Sequence, residues 1–203
     1  VSKSFGSKKA LNQISFDFET GKNYCILGKN GSGKSSLAMT LAGNPKYEIS
    51  EGELLLDGQN LTEMTPDERN KAGIFLTFQN IPEIPGVKLF EFLKTIYDAR
   101  AEKPSTFLEF KKIIEPLMAE LEIEKAFLWR DLNVGFSGGE KRKIEVLQIK
   151  LLKPKYIILD EIDSGLDVNA VRQVAELLKA VNTQENSFIV ITHLFEMLQE
   201  LPL

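Results

Sequence analysis

The chain has 203 residues and a formal net charge of −4, with 43% hydrophobic and 27% charged side chains. These values are ordinary for a soluble globular domain, and the acidic balance argues against a nucleic-acid binder, which usually carries a basic excess. No apolar run approaches the ~20 residues that cross a bilayer, and no secretory segment opens the chain. The single cysteine, Cys25, has apolar neighbours and can form no internal disulfide, which predicts a core thiol in a cytoplasmic protein.

The first part of the chain alternates between predicted strands and helices. Apolar alternation predicts a strand over residues 14–18, and a buried strand follows over 24–27. "SLAMTLAG" predicts a helix that ends at Gly43. "GELLLDGQNL" predicts a small antiparallel layer that turns at Asp57-Gly58. "TPDERNKAG" predicts a short helix capped by Thr65, and "IFLTFQ" a further strand.

Residues 87–150 change character, because apolar residues recur there at helical spacing and no strand is expected among them. "YIILDE" and "SFIVITH" then predict two buried strands with an amphipathic helix, "VNAVRQVAELLKAV", between them. We therefore predict one α/β domain over 1–203, with a mostly parallel sheet core and a small antiparallel β layer. The core would comprise 1–86 and 151–203, with 87–150 inserted as an α-helical subdomain.

The stretch "GKNGSGKS" matches the P-loop pattern G-x-x-x-x-G-K-[ST] in full, between a predicted strand and a predicted helix. Its glycines let main-chain N–H groups turn toward phosphates, and the helix N-terminus adds the positive end of its dipole. We expect Lys34 to reach the β- and γ-phosphates of a nucleotide and the Ser35 hydroxyl to bind Mg²⁺. The predicted nucleotide-binding residues here are Gly28, Lys29, Asn30, Gly31, Ser32, Gly33, Lys34, Ser35 and Ser36.

Four side chains at predicted strand ends complete this candidate site, because ligands of an open parallel sheet bind beyond the carboxyl ends of its strands. Asp160 is expected to support Mg²⁺, and Glu161 to accept a proton from the attacking water or orient it. His193, the only histidine, is expected near the γ-phosphate, and Gln79 near Mg²⁺ or the water. A solvated acidic pair, a structural histidine and a loop glutamine without function are the plain alternatives.

A second glycine-rich turn, "FSGGEKRK", opens a predicted helix at Ser137, Gly138 and Gly139. It lacks the Lys-Ser pair of a P-loop, so it is not expected to bind a nucleotide alone. Its main-chain amides suit an exposed γ-phosphate held by another loop. Two copies of the chain packed head to tail, each covering the nucleotide of the other, would use both loops. An ordinary capped helix is the plain alternative.

These motifs, in this order, resemble those of the ATP-binding cassette (ABC) ATPases: the P-loop, Gln79, "FSGGE", "YIILDE", "SGLD" at Ser164 to Asp167, and His193. The resemblance covers nearly the whole chain. It implies an Mg²⁺-dependent ATPase in which two subunits sandwich ATP, with Ser137 and Gly139 meeting the γ-phosphate across the interface. It also implies that Asp167 lines that interface and that Phe5 stacks on adenine.

The stretches "LNVGFSGGEKRKIEVLQ" and "LDEIDSGLDVNAV" are more closely similar to the SufC-type ABC ATPases of the SUF iron–sulfur cluster assembly system. That resemblance implies SufB- and SufD-like scaffold proteins as partners, rearranged by ATP-driven dimerisation. The Gln79 loop with "NIPEIPGV" is the expected docking surface, through Ile81, Ile84 and Val87. A packed loop without a partner is the plain alternative.

Relative to the family pattern, the chain is expected to be shortened at both ends, and "THLFEML" lacks the aromatic residue that often follows the histidine. The nucleotide-binding subunit of an ABC membrane transporter shares every catalytic residue and stays an alternative. A clamp that binds ATP without hydrolysing it is a third, against which Glu161 and His193 count. A DNA-repair ABC protein is disfavoured by the acidic balance and the lack of a long coiled-coil insertion.

Overall fold

The computed structural model describes residues 1–6, 8–162 and 168–192. In chain order its elements are β1 (Lys3–Phe5), β2 (Lys8–Leu11), β3 (Tyr24–Ile26), α1 (Lys34–Leu41), β4 (Leu55–Leu56), β5 (Gln59–Asn60), α2 (Pro66–Ala72), β6 (Ile74–Thr77), β7 (Ile84–Lys88), α3 (Leu89–Asp98), α4 (Phe107–Glu120), β8 (Asp131–Leu132), α5 (Gly138–Leu152), β9 (Tyr156–Asp160), α6 (Val168–Val181) and β10 (Ser187–Ile191). Short 3₁₀ helices add Pro45–Tyr47 and Lys125–Trp129.

The centre of the fold is a four-stranded parallel sheet in the order β3-β10-β9-β6. Strands β9 and β10 are apolar throughout their inner positions, because a parallel sheet covered on both faces buries successive side chains alternately on either side. Ile157 and Leu159 pack on the face covered by α3 to α6, whereas Ile158 packs on the opposite face with α1 and β4. This is the α/β core that the sequence predicts.

Paired pieces of antiparallel strand surround this core. β1 pairs with β2, and β4 pairs with β5 through a turn at Asp57-Gly58, as predicted. The predicted strand over 14–18 is wrong: the structure assigns no strand there. Its aromatic rings pack on one another and on Tyr24 instead, with the centroids of Phe16 and Phe18 4.9 Å apart and those of Phe18 and Tyr24 5.0 Å apart.

The buried strand predicted over 24–27 is wrong in two respects. β3 is shorter, and its residues are half-buried. Leu27, just beyond it, is 63% exposed. The reason is position: β3 lies at one end of the described sheet and pairs with β10 alone. Cys25 on this strand is accordingly half-buried rather than a core thiol, and burial raises the pKa of its thiol.

The region 87–150 contains the three long helices α3, α4 and α5, as the helical periodicity indicates. The expectation that no strand occurs there is wrong, because β8 lies within it and pairs antiparallel with β7. A two-residue strand is too short to show any periodicity in the sequence. Lys88 at the end of β7 and Asp131 at the start of β8 also form an ion pair of 2.7 Å. The domain boundaries themselves stay predictions.

Capping side chains that can be recognised in the sequence determine where helices α2 and α5 begin. Thr65 and Glu68 form a reciprocal capping box at the start of α2, as do Ser137 and Glu140 at the start of α5. At α5 the box pairs two main-chain N–H groups that the helix cannot pair itself, and at α2 the Thr65 N–H donates to the Glu68 carboxylate at 2.8 Å. The predicted start of α2 is therefore confirmed, and the position of Ser137 immediately before α5 is set by the same chemistry.

Candidate functional site

The candidate site lies at the carboxyl edge of the parallel sheet. The register pairs Thr77 with Leu159 and Asp160 with Ile191, so β6, β9 and β10 end side by side. The P-loop follows β3, the neighbouring strand beside β10, and leads into α1. The fold therefore brings residues from four separate stretches of sequence to one edge, where ligands of such sheets bind.

The P-loop is closed around its own lysine. The Nζ of Lys34 donates to the carbonyl oxygens of Gly28 at 2.9 Å and Lys29 at 3.2 Å, and the residue is 8% exposed. Gly33 precedes α1 with φ of 101°, and Gly31 has φ of 77°. These are left-handed conformations that glycine adopts without penalty. The lysine ammonium is thus already placed inside the loop, on groups that a phosphate would replace.

The P-loop and the end of β9 meet through oxygen atoms. The Ser35 hydroxyl donates to Oδ1 of Asp160 at 3.3 Å, joining positions far apart in the sequence. The main-chain N–H of Asp160 in turn donates to the Thr77 hydroxyl at 3.3 Å, and that hydroxyl donates to the Ile158 carbonyl. The sequence assigned Ser35 and Asp160 separately to Mg²⁺, and the structure adds that they contact each other, while their role toward Mg²⁺ stays a prediction. The support from Thr77 is a feature that no sequence signal revealed.

The pKa of the Asp160 carboxyl is raised, first by burial and also by the nearby carboxylate of Glu161. The hydrogen bond from Ser35 and the charge of Lys34 oppose that rise in the pKa. For this carboxylate the cost of burial outweighs the hydroxyl partner and the nearby lysine charge, so its charged form is incompletely compensated. This environment is the one that a divalent cation would relieve, and it is also a recurrent property of functional sites.

Glu161 and Gln79 are brought together beside this pair. Nε2 of Gln79 donates to Oε2 of Glu161 at 2.7 Å, across two different strand ends. Glu161 has φ of 47°, which is strained for a residue with a side chain, and its N–H donates to the Ile191 carbonyl at 2.8 Å. The sequence predicted that both residues lie at this edge, and the structure adds that they contact each other.

The second glycine-rich turn lies on the surface at the start of α5. Ser137 and Gly138 are exposed, and a side chain added at Gly139 would meet no atom within 4 Å. The hydrogen bond from the Ser137 N–H lowers the pKa of Glu140, which keeps the capping box charged. The turn is therefore accessible to solvent at a helix N-terminus, as a turn that contacts a ligand bound to a second copy would have to be.

A buried ion pair joins α5 to the Gln79 loop, defined here as residues 78–83. Arg142 and Glu145 contact at 2.6 Å, with side chains 5% and 6% exposed. Glu145 accepts the N–H of Phe78 at 2.9 Å, while Arg142 donates to the carbonyls of Phe78 and Gln79 at 2.7 and 3.2 Å. Sequence reasoning missed this pair. Opposite charges three residues apart on a helix were the only signal, and such pairs are usually exposed.

The same loop borders an apolar groove of about 590 Å³ between the sheet core and the helices. Its lining includes Phe78, Ile81, Pro82, Ile84, Phe92 and Ile96. Phe78 is 48% and Ile84 is 38% exposed, so the groove offers apolar surface to solvent. Of the three residues expected to be exposed, Ile84 is, whereas Ile81 and Val87 are half-buried. Val87 does not line the groove.

Phe5 is exposed on β1, with Lys3 Nζ 5.1 Å from the centroid of its ring and Tyr47 packed edge-on at 5.2 Å. Its role toward adenine stays a prediction. Asp167 and His193 lie outside the described residues. The sequence interpretation of those two positions therefore stands on the motifs alone.

A model of the family described as "ABC transporter" matches residues 11–164. The chain is 44% identical over 192 residues to the "Probable ATP-dependent transporter ycf16" of Antithamnion sp., which covers 93% of this chain and 76% of that protein. It is 40% identical over 190 residues to the "Probable ATP-dependent transporter SufC" of Escherichia coli, over 92% of this chain and 77% of that protein. The chain belongs to the ABC ATPases, as a SufC-type member.

Solved ABC cassettes share the fold. The dimeric ATP-binding cassette MJ0796, determined in a post-hydrolysis state with ADP and Pi, superimposes with a TM-score of 0.80 over 98% of this chain and 87% of that one, at 21% identity. A nucleotide-free ATP-binding cassette of an ABC transporter gives a TM-score of 0.75. Within residues 1–6, 8–162 and 168–192, no helix combines the length and apolarity needed to span a membrane.

The residues present fit a nucleotide with Mg²⁺. Ser35 and Asp160 converge as two hard oxygen donors. A side chain added at Gly28 would come within 2.7 Å of the Ser32 hydroxyl, so the loop is closely packed at this glycine. No cluster of three or more His, Cys, Asp or Glu that could hold a metal occurs in the described part of the chain. Mg²⁺ needs no such cluster, because it takes one or two protein ligands together with water and phosphate oxygens.

Proposed function

We propose that this chain binds and hydrolyses ATP with Mg²⁺ in a site shared by two copies, and that hydrolysis powers iron–sulfur cluster assembly on SufB- and SufD-like scaffold proteins. The observation that carries the ATPase proposal is the pair of contacts at the end of β9. Ser35 meets Asp160 at 3.3 Å, and Gln79 meets Glu161 at 2.7 Å, next to a P-loop whose lysine is already inside it.

Binding begins with the exchange of partners in the P-loop. Lys34 leaves the carbonyls of Gly28 and Lys29 for the β- and γ-phosphates, and the main-chain N–H groups of the loop and the start of α1 turn toward the same oxygens. Ser35 and Asp160 would hold Mg²⁺, which supplies neutralisation of charge on the β- and γ-phosphate oxygens.

We assign Glu161 to act on the attacking water. Its carboxylate accepts a proton as the water oxygen attacks the γ-phosphorus, and the bond to the leaving ADP breaks. Gln79 holds that carboxylate in position through its amide N–H. His193, from its place in the sequence after β10, is assigned to keep phosphate and water in line.

The second copy completes the site. Ser137 and Gly138 are exposed at a helix N-terminus, and a side chain at the half-buried Gly139 would meet open space, so this turn can cover the γ-phosphate held by the P-loop of another chain. In a two-fold pairing the same surface is used twice and yields two equivalent sites. Phe5 and Asp167 are assigned to adenine and to the interface, respectively.

Glu161→Gln tests this mechanism. The substitution keeps the size of the side chain, leaves one amide oxygen that can still accept the Gln79 N–H, and removes the proton acceptor. We expect steady-state hydrolysis to fall by at least about 100-fold, while an ATP-bound dimer accumulates in size-exclusion chromatography with light scattering. Unchanged hydrolysis would remove Glu161 from its assigned role.

The SUF assignment rests on sequence similarity to SufC-type relatives and on the groove beside the Gln79 loop. The groove is lined mainly by apolar side chains, and one of them, Phe78, belongs to the Gln79 loop. A scaffold segment bound in the groove would therefore contact the Gln79 loop as well. We assign the chain to the cytoplasm, where such scaffolds would be met. With a single cysteine, the chain leaves cluster binding to its partners.

A membrane transporter subunit is the second candidate, because the relatives carry transporter names. Co-purification separates the two. We expect the tagged chain, expressed with its neighbouring genes, to retain a soluble SufB-like protein. Retention of a membrane permease in its place would favour the transporter assignment.

A further inference from the structure

The main chain at Phe78 and Gln79 is held by a device that the hydrolytic mechanism above does not use. Three hydrogen bonds connect this one segment to the pair Arg142 and Glu145: the Phe78 N–H to Glu145, and the Phe78 and Gln79 carbonyls to Arg142. The next side chain along, Gln79, is the one that donates to Glu161. The ion pair therefore holds the main chain of the same residue, Gln79, whose side chain donates to the Glu161 carboxylate.

We propose that Arg142 and Glu145 are positioning residues for ATP hydrolysis, which fix the Phe78–Gln79 main chain so that the Gln79 amide meets Glu161. This rests on the proposed ATPase function. The pair acts through Gln79 and touches neither nucleotide nor water, so its loss is expected to change the rate of the chemical step more than the affinity for ATP.

Stability alone does not account for the pair. Removing two charges from water is costly, and apolar residues of similar volume often serve a protein core as well or better. What apolar residues cannot supply is direction: the guanidinium offers several donors in a fixed plane, and the carboxylate offers two acceptors. Here one carboxylate oxygen accepts the Phe78 N–H and the other accepts Arg142, which itself donates to the Phe78 carbonyl, so the N–H and the carbonyl of Phe78 are both held.

Further contacts tie the far end of the Gln79 loop to the same part of the chain. Lys141 pairs with Glu83 at 2.8 Å, and the side-chain amide of Asn133 donates to the Pro82 carbonyl at 2.9 Å. The loop is thus held at both ends by residues that flank the Ser137–Gly139 turn. These side-chain contacts to the Gln79 loop come from α5 and from Asn133, which precedes it.

The test is a mutant cycle on the full chain. The double variant R142M/E145M removes the hydrogen bonds and leaves no unpaired buried charge, so it is expected to fold. We expect kcat to fall at least about 10-fold while KM for ATP changes less than about 3-fold. In a Gln79→Ala background the same double substitution should lower kcat no further, because residues that act through one another are not additive.

Amide hydrogen exchange at Phe78 supplies a readout independent of turnover. Its N–H is expected to exchange at least about 10-fold faster in R142M/E145M, because its acceptor is gone. The matched control is E176M/K179M, which removes an exposed ion pair of the same spacing on α6 and should leave kcat, KM and Phe78 exchange unchanged. If R142M/E145M does not fold, Arg142→Lys replaces it in the same mutant cycle. Lysine keeps the positive charge but lacks the planar set of guanidinium donors, so the same changes in kcat, KM and Phe78 exchange are expected.

Two results would overturn the proposal: a wild-type kcat in the variant, or a loss of kcat that recurs in full in the Gln79→Ala background. Absence of hydrolysis in the wild-type chain would instead contradict the proposed ATPase function. In that case the Phe78 exchange rate still decides whether the pair restrains this segment.

Discussion

Gly33→Ala tests how tightly the P-loop is packed against β2. A Cβ at this position would lie 2.6 Å from the carbonyl oxygen of Ala10 and 3.4 Å from a methyl group of Leu11. The first of these atoms is main chain in a paired strand, which cannot rotate away. Gly31→Ala is the matched comparison, because Gly31 also has a positive φ but a Cβ there would meet nothing within 4 Å.

The difference between the two variants isolates the collision. Each alanine must adopt a left-handed conformation, at a cost of roughly 1–2 kcal/mol. That cost is shared, so it cancels in the comparison. Gly33→Ala alone adds the displacement of β2, for which overpacking in a filled site gives about 1–3 kcal/mol. For a chain of this size that difference corresponds to a melting temperature about 2–12 °C lower than that of Gly31→Ala.

Differential scanning fluorimetry without nucleotide measures this difference, and urea unfolding checks that the two variants share one m-value. ATP affinity, measured by calorimetry, should also fall further in Gly33→Ala, because moving the start of α1 moves the main-chain N–H groups that face the phosphates. Melting temperatures within about 1 °C of each other would show that β2 yields without cost and would refute the reasoning.

Lys34→Ala should weaken ATP affinity by at least about 10-fold, since a hydrogen bond to a charged group contributes about 1.5–3 kcal/mol; equal affinities by calorimetry would contradict it. Asp160→Asn should raise the melting temperature of the nucleotide-free chain by about 2–4 °C, from about 1 kcal/mol of relieved charge burial. Burial raises the pKa of Asp160, so the folded wild type binds its proton more tightly than the unfolded chain. Wild-type stability therefore falls as pH rises through that raised pKa. The advantage of Asp160→Asn should shrink in acid, and an advantage constant with pH would count against this cause.

The positions of the candidate site residues could be predicted because they lie in local patterns. A P-loop needs a strand, a glycine-rich turn and a helix in immediate succession, so "GKNGSGKS" predicts its own conformation together with a phosphate ligand. Asp160 and Glu161 could be placed because an apolar run followed by acids identifies the carboxyl end of a buried strand. Each of these inferences uses only neighbours in sequence together with one general rule of α/β sheets.

The features that sequence reasoning missed depend on which surfaces meet. Arg142 and Glu145 look like an exposed helical pair until the Gln79 loop packs over them. The alternation at Phe16 and Phe18 has the period of a strand, but their rings are satisfied by packing with Tyr24. Periodicity indicates that one face of a segment is buried, but it does not show which other segment covers that face. Whether a strand forms depends on that packing context.

Helix α5 relates the Ser137–Gly139 turn to the Gln79 loop. Ser137 caps the helix and Glu145 lies eight residues further along, about 12 Å away at 1.5 Å per residue. Arg142 and Glu145 hold the main chain of Phe78 and Gln79 from the same helix that this turn opens. In the proposed mechanism, covering a γ-phosphate on a second copy and aligning Glu161 in the first therefore both depend on the position of one helix. An ATP-bound dimer would thereby set both of its catalytic carboxylates by the same contact that closes it.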